Sequence, residues 1–293
     1  MSSLGRPLDP SWPTNRAVLV LMPAGALIAA VSATWVPGLA GTSRLWAVAL
    51  GAGTMLGGWA VGRELAPDDQ RAAFVALVLG FGTLLFVPGV SLVLLFATLM
   101  LTRMVNHTVG LPATTLDSVV VLGLSGWAVA DTGSPAVGVV TAFAFGLDAW
   151  LPDGRRRQWG FAALCLVMVA ALAGAAAEQD RVVSSPIVLG VPATSILVGA
   201  AVVAALVLHG SLTTGALRST CDATGDPLSI ARVRWGVIVA LLVGTQGLFL
   251  GEGGASSVAL VWASLAGVGL SGIVPPGASP SGNAPPGMEP DGA

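Results

Sequence analysis

The chain contains no lysine and no tyrosine, and only 10% of its 293 residues carry a charge. So few charged groups cannot cover the surface of a soluble globule of this length, because such a surface needs many charged and polar side chains. In contrast, 54% of the residues are hydrophobic and the mean hydropathy is +0.84. The composition excludes an ordinary soluble domain and predicts an all-α integral membrane protein.

Cysteine and histidine are also scarce, with two of each. Cys165 lies within an apolar run and Cys221 lies in a polar stretch that we assign below to the cytoplasm, so no structural disulfide is expected. His107 and His209 are isolated in the sequence, without a neighbouring Cys or Glu at the spacing of a metal site. We therefore expect no metal and no cofactor.

Three regions of different composition follow each other along the chain. Residues 1–16 form a polar N-terminal segment, residues 17–274 a single transmembrane helical domain, and residues 275–293 a Pro/Gly/Ser-rich tail with too little apolar surface to fold. Apolar runs of about 15 to 20 residues predict the membrane-spanning helices. The runs are Ala17–Val36, Leu45–Gly62, Ala72–Thr102, Leu116–Ala130, Pro135–Leu151, Trp159–Ala177, Ile187–Leu208, Trp235–Leu250 and Ala255–Val274.

The run from Ala72 to Thr102 is about 31 residues long, which is too long for one span and short for two. It is either one tilted helix kinked at Pro88 or a hairpin of two helices that turns at Pro88 and Gly89. The arginines separate these alternatives, because short cytoplasmic loops collect positive charge. A hairpin places 11 of the 13 arginines on the side of the N-terminus, whereas a single span places only 5 there.

The arginine distribution therefore predicts ten spans with both termini in the cytoplasm. The chain is then a multi-pass protein of the plasma membrane, in contact with the lipid bilayer and with no nucleic-acid partner. The turn at Pro88 lies on the outer side.

In the second span, Gly53 and Gly57, and again Gly58 and Gly62, are four residues apart. This spacing predicts close packing between helices.

The longest polar interruption runs from His209 to Arg234 and contains Asp222 and Asp226. Paired carboxylates at a membrane surface can hold Mg²⁺ on a diphosphate, so these two residues are candidate catalytic groups if the protein is an enzyme. Asp68 and Asp69, in a loop on the same predicted face, complete the candidate set. Phosphate or lipid headgroups would be bound by arginines of this face, namely Arg155, Arg156, Arg157, Arg218, Arg232 and Arg234.

The spacing of Asp222 and Asp226, D-x-x-G-D, resembles the second aspartate-rich motif of intramembrane prenyltransferases of the UbiA type. The resemblance covers this one loop, and the loop from Arg63 to Arg71 lacks the first motif of that family. It implies a Mg²⁺-dependent enzyme of isoprenoid or lipid metabolism at the inner leaflet. The alternative is a solvated loop in which Asp226 caps a helix that begins at Pro227.

Polar groups within spans are costly and mark a transport path when they are functional. Thr245 and Gln246 are the strongest hydrogen-bonding pair that we expect near the middle of a span, and Asp148 is the best acidic candidate. Asp148 precedes the arginines at 155–157 by about two helical turns. We therefore expect those arginines to neutralise it at the membrane interface.

Two classes of function follow from these features. Ten short spans in fewer than 300 residues are similar in number and size to the drug/metabolite transporter superfamily, although no sequence motif of that superfamily is present. We expect a small permease for a small or amphipathic solute, and not an enzyme. The alternatives are a lipid- or isoprenoid-modifying enzyme that acts through the Asp and Arg loops, and an accessory membrane subunit. The sequence leaves the substrate, the ion coupling and the oligomeric state open.

Overall fold

The structure, a computed structural model, describes residues 4–5, 8–178 and 194–273. Within these residues the fold is all-helical, as predicted. The α-helices are α1 (Pro13–Ser32), α2 (Arg44–Leu65), α3 (Gln70–Phe86), α4 (Leu92–Asn106), α5 (Thr115–Thr132), α6 (Pro135–Trp150), α7 (Gln158–Glu178), α8 (Thr194–Thr213), α9 (Ile230–Leu248), α10 (Gly251–Ser257) and α11 (Ala259–Ser271).

The helices are apolar enough to indicate a membrane protein. Among the described residues, α1, α2, α8 and α9 are each long and apolar enough to cross a membrane, and α3, α4, α6, α11 and part of α7 are shorter apolar helices. Large apolar side chains such as Leu45, Val78 and Leu116 are exposed on the bundle surface. Lipid chains can cover such side chains, whereas water cannot do so without cost. The start of the predicted span Ile187–Leu208 and the predicted tail lie outside the described residues.

Residues 72–102 form two helices joined by a turn and not one kinked helix, which agrees with the arginine distribution. The helices α3 and α4 are separated by residues 87–91, where Gly89 has a φ of +75° that side-chain-bearing residues rarely adopt. Ser91 begins α4 by accepting a hydrogen bond from Leu94 N at 3.1 Å. Local turn and capping residues therefore end one helix and begin the next.

The predicted last span, residues 255–274, differs from the structure, because it is not one helix. A short helix, α10, ends at Ser257 and α11 begins at Ala259. Gly254 lies so close to Gly247 on α9 that a Cβ at residue 254 would be 2.4 Å from the Gly247 carbonyl oxygen. This close approach places α10 directly against the end of α9.

The paired glycines of α2 pack against neighbouring helices, as their spacing predicted. A Cβ at Gly62 would lie 2.8 Å from the Cα of Ala73, and one at Gly58 would lie 3.0 Å from the carbonyl oxygen of Ala76, so this pair faces the backbone of α3. Gly53 instead faces α4, where a Cβ at residue 53 would lie 2.7 Å from the Leu92 side chain. Glycine thus allows α2 to lie between α3 and α4.

Contacts between helix termini group most arginines at one end of the bundle. Arg63 at the end of α2 donates to Asn15 at the start of α1, Arg103 at the end of α4 contacts Glu64, and Arg232 at the start of α9 contacts Asp148. We call this the arginine end. At the opposite end Ser91 donates to Asp131, and Ser134 donates to Gln246.

Candidate functional site

The segment between α8 and α9, residues 214–229, covers part of the arginine end, and we call it the capping loop. One side of it is held by Asp68 in the turn between α2 and α3. The carboxylate of Asp68 accepts hydrogen bonds from the backbone N–H groups of Arg218 and Ser219, each at 2.8 Å, and from the Ser219 hydroxyl at 2.6 Å. Partial burial raises the pKa of Asp68, but these hydrogen bonds outweigh it, so that its pKa lies below the ordinary value.

The other side of the capping loop is held by the turn between α4 and α5, residues 107–114. The backbone N–H groups of Asp222 and Ala223 donate to the carbonyl oxygens of Thr108 and Val109 at 3.2 and 3.0 Å. Gly110, with a φ of +92°, lies beneath the loop, and a Cβ there would be 2.5 Å from the Thr224 hydroxyl. The capping loop is therefore attached to two different inter-helix turns.

Cys221 lies on the inner surface of the capping loop, where its Sγ is 3.6 Å from the carbonyl oxygen of His107. Burial raises the pKa of the Cys221 thiol, a hydrogen bond with Thr224 lowers it, and the carboxylates of Asp226 and Asp222 raise it further. The net shift is upward. A thiol with a raised pKa is protonated at neutral pH, which makes it a poor nucleophile.

A buried carboxylate, that of Glu64, lies beneath the capping loop. We call Glu64 and its partners the Glu64 cluster. Glu64 accepts from Arg103 Nε at 2.9 Å and from the Thr108 hydroxyl at 2.6 Å. Arg103 also donates to the Leu4 carbonyl oxygen at 3.0 Å, and Asn106 donates to the Glu64 carbonyl oxygen at 2.8 Å. The paired charges and their hydrogen bonds satisfy groups that would otherwise be costly to bury.

A second cluster contains Asp148, which has no solvent exposure, together with His107 and Arg232; we name it the Asp148 cluster. The Oδ1 atom of Asp148 is 2.7 Å from His107 Nε2 and 3.2 Å from Arg232 Nη1. Arg232 also donates to the carbonyl oxygens of Val105 and Pro152. Asp148 is neutralised by an arginine, as predicted, but that arginine is on α9 and not at positions 155–157.

The three residues from Asn106 to Thr108 join the two clusters. Asn106 and Thr108 contact Glu64 on α2, while His107 between them contacts Asp148 on α6. His107 ends α4 in the left-handed conformation, with a φ of 53°. We missed these connections from the sequence, where a run of three polar residues at the end of an apolar helix was the available signal.

The predicted anion-binding arginines divide into two groups. One group donates to backbone carbonyl oxygens and contains Arg157, Arg232 and Arg234. Arg234 donates to the carbonyl oxygens of Ser211, Leu212 and Thr214, at and just after the end of α8. The contacts of Arg234 with α8 and of Arg232 with Val105 complement carbonyl groups left unpaired at helix C-termini. The exposed members of the set are Arg155, Arg156 and Arg218. Binding of anionic ligands or lipid headgroups by this set remains a prediction.

The predicted path residues Thr245 and Gln246 lie in the last turn of α9, which ends at Leu248, and not at its centre as we expected. Gln246 accepts a hydrogen bond from Ser134 at 2.5 Å, just before α6 begins. The contact joins α9 to α6 at the end opposite the arginines. Our expectation failed because α9 begins at Ile230, five residues before the apolar run, and ends two residues before that run does.

A cavity of about 530 Å³ opens at the arginine end. It lies between the N-terminal segment, the turn after α2 and the capping loop, and its wall includes Asp9, Trp12, Asn15, Trp59, Arg63, Gln70, Thr108, Cys221 and Asp222. We call it the polar cavity. Charges of both signs therefore lie in one wall together with two indole rings, an arrangement that suits a ligand with polar and apolar parts.

Arg63 and Trp59 form a connected part of that wall. The guanidinium carbon of Arg63 lies 5.3 Å from the centroid of the Trp59 ring, and its Nη1 donates to Asn15 at 3.2 Å. Trp59 also lines a second, mostly apolar cavity of about 440 Å³, together with Leu56, Phe96, Met100 and Leu116 among others. We call this the apolar groove, and Trp59 lines both it and the polar cavity.

The four carboxylates of the enzyme hypothesis have different surroundings. Asp222 lines the polar cavity, Asp226 is exposed on the capping loop, and Asp68 holds that loop. Asp69 begins α3 by accepting a hydrogen bond from Arg71 N at 3.0 Å. Within the described ranges, no three His, Cys, Asp or Glu side chains form a group that could hold a metal ion.

Comparison of the chain with protein-family models, curated proteins and solved structures gives no match. Geometry and chemistry at the arginine end are therefore the basis for any functional conclusion.

Proposed function

We propose that the chain is a small permease whose amphipathic solute enters through the arginine end. The observation that carries this proposal is that Trp59 lines both the polar cavity and the apolar groove. A solute with a charged head and an apolar tail would place the head beside Arg63 and Asp222 and the tail beside Leu56 and Phe96. Hydrophobic walls with a few placed polar groups are typical of small-molecule sites.

The orientation in the membrane is part of the proposal. We place the arginine end in the cytoplasm, because arginine is enriched in short cytoplasmic loops. Ten membrane crossings follow if each of α1 to α9 spans the bilayer once and α10 with α11 spans it once. This arrangement puts the polar cavity on the cytoplasmic side.

Cysteine labelling tests the orientation. In a chain with Cys165→Ala and Cys221→Ser, we expect Pro88→Cys to react with a membrane-impermeant maleimide in intact cells. Pro88 is exposed in the turn between α3 and α4, and its neighbour Gly89 is avoided because of its positive φ. Arg155→Cys, exposed at the arginine end, is the matched control and should react only after permeabilisation. The reverse pattern would contradict the orientation.

Flux through proteoliposomes tests the function. We expect uptake of radiolabelled leucine, a small zwitterion, or transbilayer movement of lysophosphatidylcholine, a zwitterionic amphiphile. Arg63→Gln should reduce that flux about tenfold, since a hydrogen bond to a charged group contributes about 1.5 to 3 kcal/mol. Arg155→Gln, which removes an exposed arginine outside the cavity wall, should leave the flux unchanged.

Two results would count against the permease. One is flux no greater than in protein-free vesicles for both probes, and the other is equal loss of flux in Arg63→Gln and Arg155→Gln. The same vesicles supplied with farnesyl diphosphate and Mg²⁺ test the enzyme alternative. Release of diphosphate, with the farnesyl group captured by water as farnesol, would replace the permease by a prenyl-diphosphate enzyme if Asp222→Asn abolishes it.

A further inference from the structure

The contact between His107 and Asp148 contains a proton held inside the bundle. A carboxylate oxygen can only accept a hydrogen bond, so the 2.7 Å contact requires a hydrogen on His107 Nε2 or on Asp148 itself. Asp148 is completely buried and the side chain of His107 is 10% exposed. Ionisable groups in such a position are costly to bury, and where they occur they commonly bind or transfer protons.

The Asp148 carboxylate uses its two oxygens unequally. His107 and Arg232 both contact Oδ1, whereas the buried Oδ2 has no hydrogen-bond partner among the described residues. Two donors therefore share one oxygen while an equivalent acceptor is left empty, at a cost in free energy. Because Oδ2 is an unused acceptor, a change in the charge of His107 can change how His107 and Arg232 share the Asp148 carboxylate.

The backbone around His107 connects this proton to the capping loop. The His107 carbonyl oxygen is contacted by the Cys221 thiol, and the next two carbonyl oxygens accept hydrogen bonds from the loop. His107 is also in the left-handed conformation, in which histidine is enriched among residues other than glycine. In this conformation its side chain contacts Asp148. The ionisable groups on the elements packed around His107 are Arg103 on α4, Glu64 on α2, Arg232 on α9, and Cys221, Asp222 and Asp226 on the loop.

We infer that His107 and Asp148 form a proton-binding site whose occupancy controls how firmly the capping loop closes the polar cavity. Proton uptake at Nδ1, while Nε2 keeps its hydrogen on Asp148, gives an imidazolium, which makes a stronger, charge-assisted bond to the carboxylate than neutral imidazole does. Proton uptake therefore holds the turn at residues 107–114 and the loop attached to it, and proton release loosens both. The inference concerns closure of the cavity and stands independently of whether its occupant crosses the membrane.

Alkylation of Cys221 reports on closure, because its thiol lies beneath the loop. The purified full-length chain in detergent, carrying Cys165→Ala, is treated with N-ethylmaleimide between about pH 5 and pH 8, the range in which histidine typically changes charge. His107→Gln can still donate a hydrogen bond but cannot become charged. The alkylation rate of this variant is divided by that of the parent. The ratio cancels the pH dependence of thiol alkylation, because both proteins share it.

We expect His107→Gln to react about fivefold faster than the parent at the acidic limit and equally fast at the alkaline limit, since charge roughly doubles the strength of a hydrogen bond. His209→Gln alters the other histidine, which is exposed on α8, and should follow the parent at every pH. A ratio that does not vary with pH, or the same variation in His209→Gln, would overturn the inference.

Hydrogen exchange in the unmodified chain gives a second measurement that needs no folded variant. Protection of the amides of Asp222 and Ala223, corrected for intrinsic exchange, should decrease as pH rises. Constant protection would equally contradict the proton site.

If His107→Gln does not fold, His107→Asn replaces it in the alkylation experiment, because asparagine tolerates a positive φ. Neither measurement depends on the solute, so failure here is distinct from failure of the flux experiment.

Discussion

Replacing Asp148 by asparagine is expected to lower the free energy of unfolding by about 3 to 5 kcal/mol, because a buried charge then loses its counter-ion. Arg232 is 4% exposed, and its guanidinium is held by the carbonyl oxygens of Val105 and Pro152 as well as by Asp148. The arginine cannot turn towards water without breaking those contacts too. The variant therefore buries an unpaired positive charge at the junction of α4, α6 and α9.

Thermal unfolding of the detergent-purified variant measures this effect. Asp153→Asn is the matched control, because Asp153 is an exposed acid at the same end of the bundle and has a positive φ that asparagine tolerates. It should change stability by no more than about 0.5 kcal/mol. The double variant Asp148→Asn, Arg232→Met should be more stable than Asp148→Asn alone. Equal stabilities of the Asp148 and Asp153 variants would disprove the ion pair.

A methyl group at Gly267 is expected to reduce stability by about 3 kcal/mol, the upper part of the range for overpacking. A Cβ at this position would lie 2.4 Å from the backbone nitrogen of Ala76 and 2.5 Å from its Cα. These are backbone atoms, so no side-chain rotation relieves the overlap and the helices α3 and α11 must move apart. The effect is large because α3 is itself packed against α2.

Gly82→Ala is the control for this prediction. Gly82 is on α3, and a Cβ there would have no heavy atom within 4 Å. Alanine favours a helix over glycine by about 1 kcal/mol, so this variant should be as stable as the parent or more stable. Both variants are compared by thermal unfolding and by elution as a single species. If Gly267→Ala is as stable as Gly82→Ala, the close contact of α3 and α11 is wrong.

Local features of the sequence predicted much of the helical layout. The break at Pro88 and Gly89 was suggested by these two residues, and the count of arginines on each side of the membrane favoured a hairpin over one kinked helix. The close approach of α2 to α3 was predictable from the spacing of Gly58 and Gly62. The position of most arginines at one end of the bundle was predictable, because arginines recur in alternate loops.

The partners of the buried charges were not predictable in the same way. Asp148 was assigned to the arginines at 155–157 because they are near in sequence, but its partner Arg232 is 84 residues away. Glu64 and Arg103 are 39 residues apart, and His107 and Asp148 are 41 apart. No repeat or spacing connects such pairs, because each depends on which helices become neighbours.

The sequence by itself determined a bundle of apolar helices with its polar loops and arginines collected at one end, since hydropathy and turn chemistry act over short stretches of chain. The tertiary structure decided which charges are buried together, and it brought Trp12, Trp59, Arg63 and Asp222 into the wall of one cavity. The physical reason is that burial and ion pairing are properties of packed surfaces. Four or more segments that are distant in the chain meet at the arginine end, and only their packing removes water from Asp148 and Glu64.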